Sequence, residues 1–283
     1  MNLLNLKNRI RSVKNIGQVT KAMELVAATK MRRAQLRSIN SRKYAQELGK
    51  VISKFDLNND ENTSIWIPKS NAEKNLLILV GPSKGLAGAL ISNLGRELYN
   101  FLIKNPNTEI ISIDKKGSYL AERSGKKIVA VMPIVKTNIQ QNELDPIFLF
   151  IKEKYTSAEY KSVHIIYTKF INTILQKPSI EQILPILIDS SEEKISSNEV
   201  LIEPNKSIVI ETIMQKYFEN KIYVSVLESI ASEFSARMIA MKNASDNSQE
   251  LRDDLTMEYN QSRQAAITQQ ILEIAGAQAA MEE

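Results

Sequence analysis

The stretch that decides the fold lies near the end of the chain, at residues 227–255, and reads LESIASEFSARMIAMKNASDNSQELRDDL. It belongs to a longer segment, residues 205–275, that contains neither proline nor glycine. Both residues interrupt helices, proline at a cost of about 3 kcal/mol and glycine at about 1 kcal/mol. A helix of about 70 residues would extend roughly 100 Å, which exceeds the diameter of a small domain. Such a helix needs a partner.

Apolar and small residues recur in this stretch at alternating spacings of three and four. The predicted seam comprises Leu227, Ile230, Phe234, Met238, Met241, Ala244, Ser248, Leu251 and Leu255. This alternation is typical of a helix that packs along a second helix. We therefore predict a coiled-coil helix over residues 205–283.

The sequence offers one candidate partner, residues 1–56, at the other end of the chain. Its predicted seam comprises Leu6, Ile10, Val13, Ile16, Val19, Met23 and Val26. Residues 1–54 carry 13 Lys or Arg against two acids, whereas residues 228–283 carry four basic residues against ten acids. Because this charge asymmetry favours pairing of unlike segments, we expect the two ends to associate with each other.

Between these helices the hydrophobic period changes, which predicts a mainly parallel α/β domain across residues 75–187. The predicted strands are residues 76–80, 110–113, 128–131 and 163–167, and the predicted helices are residues 89–104, 118–123 and 143–155. Strand–helix alternation is typical of this class. Residues 171–175 and 180–186, on either side of Lys177-Pro178-Ser179, are a candidate further strand pair. The polar residues 56–74, which include Trp66, are a predicted linker.

Composition excludes several kinds of site. The chain of 283 residues has no cysteine and one histidine, which excludes disulfides, thiol catalysis and a histidine metal cluster. No apolar run approaches the roughly 20 residues needed to cross a bilayer. The N-terminal residues lack the apolar core and cleavage site expected of a secretory signal.

The most site-like stretch is the glycine-rich turn Gly81-Pro82-Ser83-Lys84-Gly85-Leu86-Ala87-Gly88. A phosphate can bind where such a turn leads into a helix. The turn lacks the Gly-Lys-Ser/Thr ending of a P-loop and the three spaced glycines of a dinucleotide site, so we interpret it as structural. We interpret His164 as a core histidine, and Asp253 and Asp254 as solvated. No catalytic residue, metal ligand or cofactor is predicted.

Two alternative functions remain open on composition. A basic stripe is the electrostatic signature of nucleic-acid binding, so residues 1–54 could serve a coiled-coil nucleic-acid-binding protein. Against this, Tyr44 is the only aromatic residue before Phe55, and stacking residues are therefore missing. The other alternative is an enzyme that uses the 81–88 turn.

Motifs at both ends and in the middle resemble those of a known family. They are residues 20–31 (TKAMELVAATKM), Ala231-Ser232-Glu233, Ala236-Arg237-Met238, residues 240–244, Asp246-Asn247, residues 263–268 (RQAAIT), residues 85–88 and residues 167–173. On these motifs, essentially the whole chain is similar to the gamma subunit of F-type ATP synthase, the central rotor shaft. The resemblance implies an α/β fold class, with a long antiparallel coiled coil of N- and C-terminal helices plus a Rossmann-like central α/β domain.

The resemblance also implies partners. The coiled coil would sit inside a hexamer of alpha and beta subunits, and the central domain would rest on the epsilon subunit and the membrane c-ring. The implied partner-contact residues are Lys21, Met23, Arg263, Gln264, Thr268 and Glu203. The first two match positions that face the beta-subunit levers, the next three match positions at the beta-subunit catch loop, and the last lies near the ring. The chain would be a non-catalytic, peripheral protein at the cytoplasmic face of a bacterial plasma membrane.

Overall fold

The computed structural model describes residues 3–53, 72–133, 139–186, 203 and 205–281. The chain divides into two compact units, a terminal unit (Met1–Ala27 with Met238–Glu283) and a central unit (Ala28–Arg237). Most of the predicted linker, including Trp66, lies outside the described residues.

A five-stranded sheet lies at the core of the central unit. Its strands are β1 (Asn75–Val80), β2 (Thr108–Ile113), β3 (Ile128–Met132), β4 (Ser162–Phe170) and β5 (Gln176–Leu184), in the spatial order β3-β2-β1-β4-β5. The first four strands are parallel, and β5 pairs antiparallel with β4. Nearly every residue of β1 and β2 is buried. Burial on both faces explains the continuous apolar run 76–80 of β1, whereas β2 also buries the polar residues Thr108, Glu109 and Ser112.

Three helices connect these strands. They are α2 (Leu90–Lys104), α3 (Lys115–Arg123) and α4 (Asp145–Thr156), the last preceded by a short 3-10 helix, Gln141–Leu144. All three predicted helices are confirmed to within a few residues at their ends. Helix α2 directs Leu94 and Leu98 onto the sheet, where they join Leu77 and Leu79 in the main apolar cluster.

The predicted strand pair at residues 171–175 and 180–186 is wrong. Residues 171–175 connect β4 to β5, and β5 runs without interruption through Pro178. Because proline has no N–H to donate, strands tolerate it mainly at sheet edges. Pro178 lies opposite Thr168 of β4 in an edge strand, so its missing donor breaks no bond with a further strand.

Two long helices, α1 (Leu3–Ser53) and α5 (Lys206–Met281), contribute to both units. In the central unit they pack antiparallel, since Lys30 of α1 lies over the ring of Phe234 and Arg42 pairs with Glu228. One side of α5 packs on α1 and another on the sheet, where Ser232 donates to the carbonyl oxygen of Thr168. Most α5 side chains between 218 and 237 are therefore buried. The predicted fold class is confirmed.

In the terminal unit, part of the predicted seam of α1 is wrong. Ile16, Val19 and Val26 are more than half exposed. The less exposed seam positions are Gly17, Thr20 and Ala27, which continue the spacing begun by Leu6, Ile10 and Val13. A Cβ atom on Gly17 would lie 3.3 Å from the Cβ of Ser248. Small residues allow α1 and α5 to approach closely, and the large residues beside them face outward.

One position of the predicted α5 seam is also wrong. Leu251 is exposed, and its neighbour Arg252 is half-buried instead. Arginine can cover apolar surface with its aliphatic stem while its guanidinium stays in water, so the seam tolerates it. Leu255 is buried as predicted.

Candidate partner-contact surfaces

Helix α1 carries an exposed apolar stripe in the terminal unit. The stripe consists of Ile16, Val19 and Val26, which fall on one helix face together with the half-buried Met23. Lys21 is exposed on a different face of the helix from this stripe, since it lies two residues from both Val19 and Met23, and its Nζ donates to Glu24 at 2.9 Å. Of the two predicted contact residues on α1, Met23 therefore belongs to the apolar stripe, and Lys21 is exposed outside it.

The C-terminal part of α5 extends beyond Leu3, the first residue of α1. With Gly17 beside Ser248 and the helices antiparallel, Leu6 lies near Tyr259, and no described residue of α1 remains to pair with α5 beyond about 262. Every side chain described from 267 to 275 is exposed. This single-helix segment, residues 267–275, has no neighbouring helix among the described residues of the terminal unit.

Arg263, Gln264 and Thr268 all lie near the beginning of this segment and are exposed. The Thr268 hydroxyl donates to the Gln264 carbonyl oxygen at 3.0 Å, a local bond along the helix. The amide side chain of Gln264 is turned to solvent, so this end of α5 offers polar groups at its surface. The structure brings these three predicted contact residues together within two helical turns.

Glu203, the sixth predicted contact residue, is exposed and precedes the start of α5. It belongs to the central unit, so it lies in a different compact unit from the other five. Its neighbours Leu201 and Ile202 lie outside the described residues.

The glycine-rich turn at 81–88 is bonded to α5 by two buried charges that sequence reasoning missed. The carboxylate of Glu233 accepts from the Ser83 amide at 2.9 Å, the Ser83 hydroxyl at 3.0 Å and the Lys84 amide at 3.4 Å. Arg237 donates to the same carboxylate at 2.6 Å and to the carbonyl oxygens of Lys84 and Gly85. We call this group, Glu233, Arg237 and residues 83–85, the loop anchor.

The loop anchor fills the place where related sheets bind ligands. In an open α/β sheet of this strand order, the binding crevice lies at the carboxyl ends of the strands where the order reverses. Here that point falls between β1 and β4. Helix α5 occupies it, with Ser229 directed at the Val80 carbonyl and Ser232 at the Thr168 carbonyl. The carboxylate of Glu233 therefore takes the amides that a bound phosphate would need.

A signal for the loop anchor existed in the sequence. Glu233 and Arg237 are four residues apart on a helix, the spacing at which opposite charges meet. Both lie in a part of α5 where apolar and small residues surround them on every side, so neither is a solvated surface charge. Their relative exposures are 3% and 6%.

A second buried acid on α5, Glu228, pairs with Arg42 of α1. Burial raises the pKa of Glu228, while the Arg42 guanidinium opposes that shift. One of its two carboxylate oxygens has no hydrogen-bond partner within the described part of the chain. Arg42 is nearly half exposed.

The surroundings of His164 and Asp253 agree with the structural interpretation of these residues from the sequence. His164 lies 5.1 Å from the ring of Phe101, and burial lowers the pKa of its imidazole. Asp253 is exposed, and hydrogen bonds from Gln249 and Arg252 hold the pKa of its carboxyl below the usual value. The described residues contain no cluster of three or more His, Cys, Asp or Glu suited to a metal ion. They also contain no helix long and apolar enough to cross a membrane.

Comparison with known proteins identifies the family. A family model described as ATP synthase matches residues 2–281. The ATP synthase gamma chain of Roseiflexus sp. (strain RS-1) is 36% identical over 98% of both chains, and that of Ralstonia nicotianae is 35% identical over the same shares. This chain belongs to the ATP synthase gamma chain family. The family predicted from the terminal motifs is confirmed.

Solved structures show the same fold. A chain in the mitochondrial ATP synthase of Euglena gracilis, from an OSCP/F1/c-ring structure, aligns over 99% of this chain and 94% of its own, with a TM-score of 0.71 at 21% identity. A chain in the Tetrahymena thermophila central stalk and c-ring aligns over 80% of this chain and 99% of its own, with a TM-score of 0.61 at 23% identity. These two chains thus share the fold of this chain. The nucleic-acid-binding alternative has no support among these relatives.

Proposed function

We propose that this chain is the central-stalk rotor of an F-type ATP synthase. It couples ion-driven rotation of a membrane c-ring to ATP synthesis or hydrolysis in an alpha/beta hexamer. Family membership supports this function. The structural observation that carries it is the segment 267–275, a helix end with exposed Ile271, Leu272 and Ile274 and no partner in its own described unit. The surrounding subunits of the alpha/beta hexamer would cover these side chains.

The mechanism follows from asymmetry. A shaft with different faces contacts three equivalent catalytic subunits differently, and so favours a different conformation and nucleotide affinity in each. That preference is a coupling free energy between the shaft contacts and the nucleotide sites. Ion flow through the ring supplies about 2.3 kcal/mol per charge per 100 mV. Two paired helices resist bending and twisting better than one, so a coiled coil suits the transfer of this work.

The partner-contact residues divide by partner. Met23, in the exposed stripe on α1, and Lys21, on another face of α1, would contact the beta-subunit levers. Arg263, Gln264 and Thr268 would hydrogen-bond to the beta-subunit catch loop. Glu203 would lie near the polar loops of the c-ring, and the central unit would rest on the ring and the epsilon subunit. The protein would then be peripheral, at the cytoplasmic face of a bacterial plasma membrane.

The chain would have no active site of its own. The loop anchor supports this, because the amides of the glycine-rich turn already bond to the Glu233 carboxylate. The division into 1–56, 75–187 and 205–283 stays a prediction about folding segments, which limited proteolysis tests.

Co-purification tests the proposed function. The full chain should co-purify with alpha and beta subunits as a complex that hydrolyses ATP, whereas the isolated chain should not hydrolyse ATP. Replacing Arg263, Gln264 and Thr268 together by alanine removes three polar contacts worth about 1 kcal/mol each, so binding should weaken about 100-fold. The exposed Asn100→Ala on α2 is the matched control. ATP turnover by the isolated chain, or unchanged binding by the triple variant, contradicts the proposal.

A further inference from the structure

The charge of Glu233 is matched by groups from two elements. Two backbone amides and a hydroxyl come from the turn after β1, and a guanidinium comes from the next turn of α5. An uncompensated carboxylate at 3% exposure would be strongly destabilising. The turn therefore acts as an anion-binding loop whose anion is a side chain of α5 rather than a ligand.

The bonds hold the turn in a conformation that it would not adopt alone. Leu86 has φ of 61°, the left-handed region that is unfavourable for a bulky side chain. Strained residues of this kind persist only where surrounding contacts fix them. Arg237 supplies such contacts, with bonds of 3.1 and 3.2 Å to the carbonyl oxygen of Gly85, the residue before Leu86.

The anchor also reaches α1. The guanidinium of Arg237 lies 5.4 Å from the centroid of the Phe234 ring, and Nζ of Lys30 on α1 lies 5.4 Å from the same centroid. Sheet, α5 and α1 are thus joined within a short length of α5, and Arg237 is the last residue of the central unit.

We propose that the loop anchor is the joint through which torque passes between the sheet of the central unit and α5, with Glu233 as the positioning residue. The inference rests on the proposed rotor function. Apolar packing between α5 and the sheet transmits strain but has no preferred direction. Charge-assisted hydrogen bonds to buried backbone groups are directional, so they also fix the rotation of α5 against the sheet.

The first arm of the test uses the isolated full chain. Glu233→Gln keeps the shape but removes the charge, and the amides of Ser83 and Lys84 should then exchange their hydrogens about tenfold faster, which corresponds to about 1.4 kcal/mol. Glu233→Ala leaves a space for a small anion, so added acetate or formate should restore its thermal stability. Glu122→Gln, an exposed glutamate in the same unit, should change neither measurement. Unchanged exchange in Glu233→Gln, or no rescue of Glu233→Ala by either anion, overturns the anchor.

The second arm uses the assembled complex in lipid vesicles. Glu233→Gln should lower the ions pumped per ATP hydrolysed, while the rate of hydrolysis changes less. Glu122→Gln should keep the wild-type ratio. An unchanged ratio in a Glu233→Gln complex whose loop amides exchange faster shows that torque takes another path. If the wild-type chain fails to join the alpha/beta hexamer, the rotor function fails, and the exchange and rescue results still decide the anchor.

Discussion

The pair of Arg42 and Glu228 predicts an unequal response to removing either partner. Glu228 is almost fully buried, whereas the Arg42 side chain is 44% exposed. Removing Arg42 leaves a carboxylate without its cation and away from water. Removing the charge of Glu228 leaves a cation that water can still reach. We therefore expect Arg42→Ala to destabilise the central unit far more than Glu228→Gln does.

The free energy of protonation limits the cost of Arg42→Ala. A stranded carboxyl can become neutral by taking a proton, which costs about 3.4 kcal/mol at pH 7 and about 0.7 kcal/mol at pH 5 for an unfolded pKa of 4.5. We expect Arg42→Ala to lower the free energy of unfolding by about 3 kcal/mol at pH 7 and by about 1 kcal/mol at pH 5. Glu228→Gln should cost less than about 1 kcal/mol at pH 7, because an ion pair with an exposed cation contributes little.

The sign of the pH dependence follows from the raised pKa. A carboxyl whose folded pKa lies above its unfolded pKa contributes stability that is complete below the unfolded value and is lost as the pH rises through the folded value. The free energy of unfolding of Arg42→Ala should therefore approach that of wild type as the pH falls from 7 to 5.

Urea unfolding of the full chain at both pH values, followed by circular dichroism, measures these differences. The double variant Arg42→Ala/Glu228→Gln is the control, since it removes the stranded charge and should restore most of the loss at pH 7. A cost of Arg42→Ala that is the same at pH 7 and pH 5 refutes the reasoning.

Two further predictions concern glycines. A Cβ on Gly81 would lie 2.2 Å from the backbone nitrogen of Gly117, so Gly81→Ala should lower the free energy of unfolding by more than about 3 kcal/mol in thermal or urea unfolding. Gly85→Ala should be nearly neutral, because the space around Gly85 is open. Equal costs for the two variants contradict this prediction. Gly17→Val should force α1 and α5 apart in the terminal unit and lower the free energy of unfolding by about 1–3 kcal/mol. Adding Ser248→Gly should recover part of that loss. A Gly17→Val protein as stable as wild type contradicts the close approach of the two helices.

The sheet and helices could be predicted because their sequence signals are local. β1 is a continuous apolar run, and α5 lacks both helix-breaking residues over its described length up to 275. The β4–β5 hairpin was not predicted, because Pro178 reads as a break unless the strand is known to lie at an edge. Edge position depends on strand order, which a single strand sequence does not carry.

The seam of the coiled coil shows a second limit. Reading large apolar residues as the buried ones selected Ile16, Val19 and Val26, whereas the close approach of two helices selects small residues such as Gly17. Both sets have the same spacing, so periodicity alone cannot separate them. The buried charge of Glu228 was missed for a related reason, since this residue resembles an ordinary solvated helix residue until the sheet and α1 are placed around it.

The small-residue seam has a consequence for a rotor. Ile16, Val19 and Val26 are each between 54% and 58% exposed, so each forgoes roughly half of the 1.5–3 kcal/mol that full burial gives, and that free energy becomes available to a partner. Apolar contact has no preferred direction, so in the proposed rotor the stripe of Ile16, Val19 and Val26 would pass from one partner subunit to the next without breaking hydrogen bonds. Polar groups differ, because bonds from Arg263 and Gln264 to a partner subunit would be directional and would have to break at each step. In the proposed rotor the apolar stripe would therefore keep the shaft in contact while it turns, and the polar end of α5 would set the angles at which it pauses.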